Sequence, residues 1–109
     1  MTPPEDNDQI VRLATAANSV QAHIWEQALG PDHPQVAYPL HGLAHLYKEQ
    51  GKYAEAEPLY QRALHIWEQA LGPDHPLTRE IARNYAILLR KMGRETEASE
   101  LESLFPSSS

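Results

Sequence analysis

Twelve consecutive residues of this chain occur twice without a change. The segment His-Ile-Trp-Glu-Gln-Ala-Leu-Gly-Pro-Asp-His-Pro spans residues 23–34 and again residues 65–76, a displacement of 42 residues. The same displacement pairs Ala44 with Ala86 and Gly51 with Gly93 outside the copied segment. A fixed period of this length indicates a chain built from copies of one supersecondary unit. The fold must therefore be one in which neighbouring copies stack and share a core.

The copied segments end in residues that stop helices, and the stretches between them have helical spacing. Gly30 and Gly72 can adopt positive φ after a helix, and the prolines that follow them cannot continue one. Apolar residues recur at i, i+3, i+4 and i+7 as Leu40, Leu43, Ala44 and Tyr47. We predict one all-α domain: an unpaired first helix at 9–29, a complete repeat at 35–71 with helices 35–50 and 53–71, a degenerate repeat at 77–104 with helices 77–92 and 95–104, and a disordered tail at 105–109.

The composition limits the classes of function. The chain has 109 residues, room for one small domain, and it has no cysteine for a disulfide, a thiolate nucleophile or a cysteine zinc site. A net charge of -6 repels phosphate backbones, so we expect no nucleic-acid partner. No stretch approaches a membrane span, and the first thirty residues lack the pattern of a signal peptide. We expect a cytoplasmic protein with no membrane partner.

The spacing of small and aromatic residues in the middle of the chain resembles the tetratricopeptide repeat. The residues that carry the resemblance are Leu43, Ala44, Tyr47, Gly51, Tyr53, Ala56, Tyr60, Ala63 and Leu64. The segment 50–60, together with Leu-Gly-Pro-Asp-His-Pro, is similar to the 42-residue repeats of the kinesin-light-chain type. The resemblance implies antiparallel helix hairpins stacked as a short right-handed superhelical solenoid. It also implies a protein-protein interaction module that binds a peptide or partner protein on its concave face.

In proteins that this chain resembles, the first helix of each hairpin lines the concave surface. We predict that His41, His45 and Lys48 lie on that surface, and that Arg83, Asn84 and Arg90 follow in register on the next hairpin. The cationic members favour an acidic peptide segment. The resemblance implies that the asparagine at position 84 holds the backbone of a bound peptide, although Gly42 stands at the equivalent place in the other copy. The alternative is that these charges are only a solvated helix face.

The first helix carries an apolar stripe that the complete repeat lacks. Leu13 and Val20 stand where the complete repeat has Glu55 and Arg62. Together with Ile10, Ala17 and Ile24 they line one side of the helix. One explanation is that the helix is rotated, so that this stripe packs on the next hairpin. The other is that the protein is a structural or assembly component that forms homo-oligomers through Leu13, Val20 and Ile24 at its open end.

Enzymatic chemistry has little support in the sequence. His41 and His45 lie one helical turn apart and could share a metal ion, but two ligands do not make a site and no third is evident. We therefore predict no cofactor, no metal site and no catalytic residues. We expect local hydrogen bonding and packing at the joints from His33 and His75, and capping of the following helix or turn from the preceding aspartates, Asp32 and Asp74. We also expect Trp67 to be packed between helices and Trp25 to be partly exposed.

Overall fold

A computed structural model describes residues 4–106, and side chains from residue 9 onward. Within that range there are five helices and no β-strand: α1 (Pro4–Leu29), α2 (Pro34–Glu49), α3 (Tyr53–Leu71), α4 (Pro76–Lys91) and α5 (Glu95–Leu104). The predicted bounds of α2 to α5 agree within one residue. Only α1 differs, because it begins at Pro4 and not at residue 9. None of these helices combines the length and apolar character needed to cross a membrane.

The two copied joints fold alike, and histidine caps the helix that follows each of them. Nδ1 of His33 accepts a hydrogen bond from the backbone N–H of Gln35 at 3.2 Å, and Nδ1 of His75 accepts one from Leu77 at 3.1 Å. Gly30 closes the preceding helix with a φ of 99°. The predicted local role of the histidines is confirmed. The prediction that the aspartates cap these helices is wrong, since the imidazole one residue later occupies the N-cap position.

Helices adjacent in the chain pack against each other, and the core lies along the middle of the stack. Trp67 and Tyr60 of α3 are fully buried, as are Ile81 and Leu88 of α4. The indole of Trp67 donates its N–H to the carbonyl oxygen of Pro34 at 3.2 Å, so its polar edge is satisfied inside the hairpin. The predicted packing of Trp67 between helices is confirmed, and Trp25 is partly buried against the same core.

Helix α1 packs against α2, but not through its apolar stripe. Ala22 is buried in the shared core, and the amide of Asn18 lies beside the backbone of α2 at Gly42. The side chains of Leu13 and Val20 remain 70% and 57% exposed. The explanation that α1 is rotated to bury this stripe on the next hairpin is therefore wrong. The helix keeps the orientation that buries Ala22, because a small side chain at this position permits close approach to α2.

The C-terminal hairpin has a short second helix, and ion pairs of Arg90 with Glu95 and Glu102 join its two helices at the surface. Ala98 is the buried residue of α5, whereas Leu104 is exposed. Phe105, placed in the predicted disordered tail at 105–109, is buried in the core. That prediction is wrong at this residue, because burying an aromatic ring offsets the entropy of ordering the chain end. Residues 107–109 of the predicted tail lie outside the described residues.

Candidate functional site

A groove of about 400 Å³ runs between α2 and α4 on one face of the stack. Helix α2 contributes Tyr38, His41 and His45, which follow one another at roughly one helical turn and share a face. Helix α4 contributes Glu80 and Asn84, at the same spacing. The groove therefore joins side chains from the first helix of each hairpin, as the stacked-repeat arrangement requires. It brings together three of the six predicted binding residues.

His41 and Asn84 join the two walls at the floor of the groove. Nδ2 of Asn84 lies 3.0 Å from Nε2 of His41, so the amide can donate to the unprotonated ring nitrogen. The imidazole also lies edge-on to Trp67, with ring centroids 6.1 Å apart. Burial lowers the pKa of His41, Glu80 raises it, and His45 and Lys48 lower it further, with burial the largest effect. Neutral His41 is thus the form that suits this hydrogen bond.

The aromatic and acidic walls of the groove were missed by the sequence analysis. Tyr38 is 51% exposed and packs its ring edge-on against Trp67 at 4.9 Å between centroids. Glu80 is exposed on the opposite wall. The sequence could have indicated both residues, because Tyr38 is one helical turn before His41 and Glu80 lies 42 residues after Tyr38. A partner would therefore meet an aromatic ring on one side and a carboxylate on the other.

The predicted cationic strip is not continuous. Lys48 is only 8% exposed, so it cannot present a free charge on the surface. The guanidinium of Arg90 forms a bidentate pair with Glu102 at 2.6 and 2.7 Å and a third bond to Glu95 at 2.8 Å. Arg83 is exposed, but it lines a separate cavity beside α5. The prediction of one strip through Lys48, Arg83 and Arg90 is wrong, because Lys48 is nearly buried and α4 turns Arg83 and Arg90 toward the last hairpin.

A cluster of hydrogen bonds around Tyr85, the residue after Asn84, fixes α4 relative to α3. The hydroxyl of Tyr85 donates to Oε2 of Glu57 at 2.8 Å and accepts from Gln61 at 2.8 Å. Arg94, in the turn before α5, donates to Oε1 of Glu57 at 2.8 Å. The hydrogen bond from Arg94 is the largest of the effects that lower the pKa of Glu57. Three elements are thereby tied together, which helps to hold the α4 wall of the groove in place.

The described residues contain no cluster of three His, Cys, Asp or Glu side chains arranged to hold a metal ion. His41 and His45 share the groove, but the ring nitrogen Nε2 of His41 already contacts Asn84. A metal ion there would have to displace that hydrogen bond. The chemistry that the groove offers is hydrogen bonding, aromatic contact and one carboxylate.

Comparison with known proteins identifies the repeats. The sequence profile of the tetratricopeptide repeat matches residues 22–64 and, in a second overlapping placement, residues 40–102. This chain belongs to the tetratricopeptide repeat family. The five-helix architecture without strands in residues 4–106 agrees with that assignment. Tetratricopeptide repeats are a non-enzymatic fold that mediates protein-protein interaction. The finer resemblance to the kinesin-light-chain type of repeat stays a prediction.

Among curated proteins the tetratricopeptide chain is similar to nephrocystin-3. It is 52% identical over 40 residues to nephrocystin-3 of Xenopus laevis, Mus musculus and Homo sapiens. The aligned stretch covers 37% of this chain and 3% of each relative. The similarity therefore extends over about one repeat of much longer proteins.

Proposed function

We propose that this tetratricopeptide chain holds an extended segment of another polypeptide in the groove between α2 and α4. The observation that supports this proposal best is the pairing of His41 with Asn84 across the groove floor. It fixes two polar side chains on facing helices, so less side-chain entropy is lost when a ligand binds. The exposed ring of Tyr38 supplies an apolar surface for a ligand side chain.

The asparagine has hydrogen-bonding capacity left for a peptide backbone. A primary amide carries two N–H donors and a carbonyl oxygen that can accept two hydrogen bonds. The contact with His41 uses one N–H of Asn84. Its other N–H and its oxygen can therefore pair with the C=O and N–H of a guest residue. Gly42 offers no side chain at the equivalent place on α2, so exposed His45 is proposed to supply the second polar contact.

The charged side chains that line the groove influence whether it binds an acidic or a basic peptide segment. Its lining contains the carboxylate of Glu80 and no lysine or arginine, and Arg90 is engaged by two glutamates. These placements give little support to the acidic ligand expected from the sequence. We propose instead a segment with a basic or polar side chain opposite Glu80 and an apolar side chain against Tyr38. A cytoplasmic setting for this interaction stays a prediction.

A peptide selection tests the proposal. A library of 12-residue peptides displayed on phage would be selected on the immobilised chain, and enriched peptides would be titrated against purified variants. We expect Asn84→Ala and His45→Ala each to weaken binding by about tenfold, the effect of about 1.4 kcal/mol of lost hydrogen bonding. Glu80→Lys should shift the selected peptides from basic to acidic.

The chain offers a matched control for the histidine substitution. His65 is an exposed histidine on α3, outside the groove lining. The His65→Ala variant removes the same side chain outside the groove, and we expect it to leave peptide affinity unaltered. Equal loss of affinity in His45→Ala and His65→Ala would contradict the proposed site. So would unchanged affinity in both groove variants, or a selection from which no peptide is enriched.

A further inference from the structure

Helix α1 presents an apolar stripe to solvent. The exposed fractions are 63% for Ile10, 70% for Leu13, 57% for Val20 and 50% for Ile24, and Ala17 at the centre is also exposed. The residues follow one another at steps of three, four, three and four, the spacing of a two-helix seam. A row of four large exposed apolar side chains on a small domain marks an interaction surface.

A preceding hairpin packed in the manner of α2 on α3 would cover only part of this stripe. On α3, the side facing α2 passes through Tyr60 and Trp67, whose rings lie 6.0 and 6.1 Å from His41. The equivalent residues of α1 are Asn18 and Trp25. Leu13 is five residues from Asn18, which places it roughly 140° around a helix of 3.6 residues per turn. Leu13 therefore lies outside that surface, whereas Ile24 corresponds to Ile66, which is buried in the complete repeat.

The α3 residues that match the stripe confirm this register. Leu13 and Val20 correspond to Glu55 and Arg62. Glu55 is exposed, and Arg62 reaches across to Glu26 at 3.1 Å and to the carbonyl oxygen of Pro31 at 3.1 Å. These positions carry charge at the surface of the complete repeat. Leu13 thus replaces an exposed charge, whereas the contacts of Arg62 place the position of Val20 beside the preceding repeat. The change from charge to Leu and Val favours an apolar partner at both positions.

The order of residues in the stripe is close to palindromic about Ala17. Ile10 and Ile24 lie seven residues to either side of it, Leu13 and Val20 lie four and three residues away, and Ala17 is small enough to allow close helix approach. In an antiparallel pairing, Ile10 would meet Ile24 of a second copy and Leu13 would meet Val20. A surface that matches itself in this way is suited to a two-fold interface.

The charge of α1 favours a second copy over a charged partner. Between Gln9 and Trp25 the helix has a single charged residue, Arg12, although the whole chain carries a net charge of -6. Two copies can therefore approach along this central part of α1 with little of the like-charge repulsion that the rest of the surface would produce. The acidic residues of the helix stand at its ends, with Glu5, Asp6 and Asp8 before the stripe and Glu26 after it.

We propose that α1 pairs in antiparallel orientation with α1 of a second copy of this chain, about a two-fold axis next to Ala17. The proposal is independent of the groove between α2 and α4. It assigns the stripe to homodimerisation, with Leu13 and Val20 as the central apolar contact.

Sedimentation equilibrium over a series of concentrations tests this interface. The wild-type chain should change from monomer to dimer as its concentration rises, and Leu13→Gln with Val20→Gln should weaken self-association by about tenfold or more, as expected for loss of a buried apolar contact. The matched control is Glu55→Gln with His65→Gln, two exposed positions of α3. Circular dichroism should show equal helix content in all three proteins, which separates loss of the interface from loss of the fold.

A single introduced cysteine tests the position of the axis. Because the chain has no cysteine of its own, Ala17→Cys would carry one thiol. Under mild oxidation it should form a disulfide-linked dimer much faster than His65→Cys. A wild-type chain that stays monomeric at about millimolar concentration would overturn the proposal. Undiminished association of the Leu13→Gln, Val20→Gln variant, or equal cross-linking of the two cysteine variants, would do so as well.

Discussion

Asn84 on α4 and His41 on α2 meet across the groove, with 3.0 Å between Nδ2 of the amide and Nε2 of the ring. The two residues are 43 positions apart in the chain, so the contact depends on the stacking of one hairpin on the next. The same pair lies on the surface where we propose that a peptide binds. Whether this hydrogen bond is formed therefore reports both on the stacking of the hairpins and on the proposed binding surface.

The first prediction concerns pH and His41. The pKa of its imidazole is lowered in the folded protein, chiefly by burial, with Glu80, His45 and Lys48 as the charged neighbours. The unfolded chain has the ordinary pKa of about 6.5 and takes up the proton first as pH falls. Stability should therefore fall below about pH 6.5 until the folded-state pKa is reached. Urea unfolding at pH 7.5 and 5.5 should show a smaller loss in His41→Gln than in wild type. Equal losses would contradict the assignment.

The second prediction compares two buried tyrosines. Tyr85 gives its hydroxyl to Glu57 and accepts from Gln61, whereas the buried hydroxyl of Tyr60 has no hydrogen-bond partner among the described residues. Burial raises the pKa of both to about 12. Tyr85→Phe should cost about 1–3 kcal/mol in the free energy of unfolding, because a charged acceptor loses its donor. Tyr60→Phe should be neutral or stabilising. A larger loss for Tyr60→Phe in chemical denaturation would refute the comparison.

The third prediction concerns the close approach of α1 to α2. A Cβ added at Gly42 would lie 2.8 Å from Oδ1 and 3.1 Å from Cγ of Asn18, whose Nδ2 donates to the carbonyl oxygen of Ala14 at 3.0 Å. Alanine is favoured over glycine in a helix by about 1 kcal/mol. Gly42→Ala should gain less than this, because the amide of Asn18 must move and lose its bond to Ala14, and Asn18→Ala should restore the full gain in the double variant. Additive effects in a double-mutant cycle of thermal unfolding would show that the contact is absent.

The fourth prediction concerns the histidine caps. His75→Ala removes the acceptor of the Leu77 N–H and should lower the free energy of unfolding by about 0.5–2 kcal/mol. His75→Asn should retain most of the stability, since its side-chain oxygen can accept the same bond. The comparison uses denaturation at pH 7.5. An asparagine variant as unstable as the alanine variant would mean that the ring acts by packing and not as a cap.

The helices and the core could be predicted from the sequence because both depend on local pattern. The exact copy at 42 residues placed the joints, and the helical spacing that continues to Trp67 correctly predicted its burial. The predicted disordered tail was wrong at Phe105, because this residue is buried against core residues that are distant from it in the sequence. Helix α1 begins at Pro4 and not at the predicted residue 9, because the ends of helices are less well defined by sequence than their presence.

The candidate site was harder to predict because equivalent positions have unlike neighbours. Lys48 and Arg90 correspond by the 42-residue step, yet Lys48 is nearly buried and Arg90 is held by Glu102. Glu102 stands where the complete repeat has Tyr60, so the last hairpin offers a carboxylate where the preceding one offers an aromatic ring. The pattern along one helix cannot reveal this difference. The contact of His41 with Asn84 likewise required the distance between helices.

Chemical-shift mapping tests the peptide-binding claim most directly. A peptide enriched in the selection would be titrated into the ¹⁵N-labelled chain, and the amide shifts would be followed residue by residue. We predict that the largest changes cluster at Tyr38, His41, His45, Glu80 and Asn84, and that about tenfold more peptide is needed to reach them in Asn84→Ala. Changes centred on the α1 stripe, on exposed α3 residues such as His65, or on the cavity beside Arg83 would contradict the account if the amide shifts of the groove residues stayed unchanged.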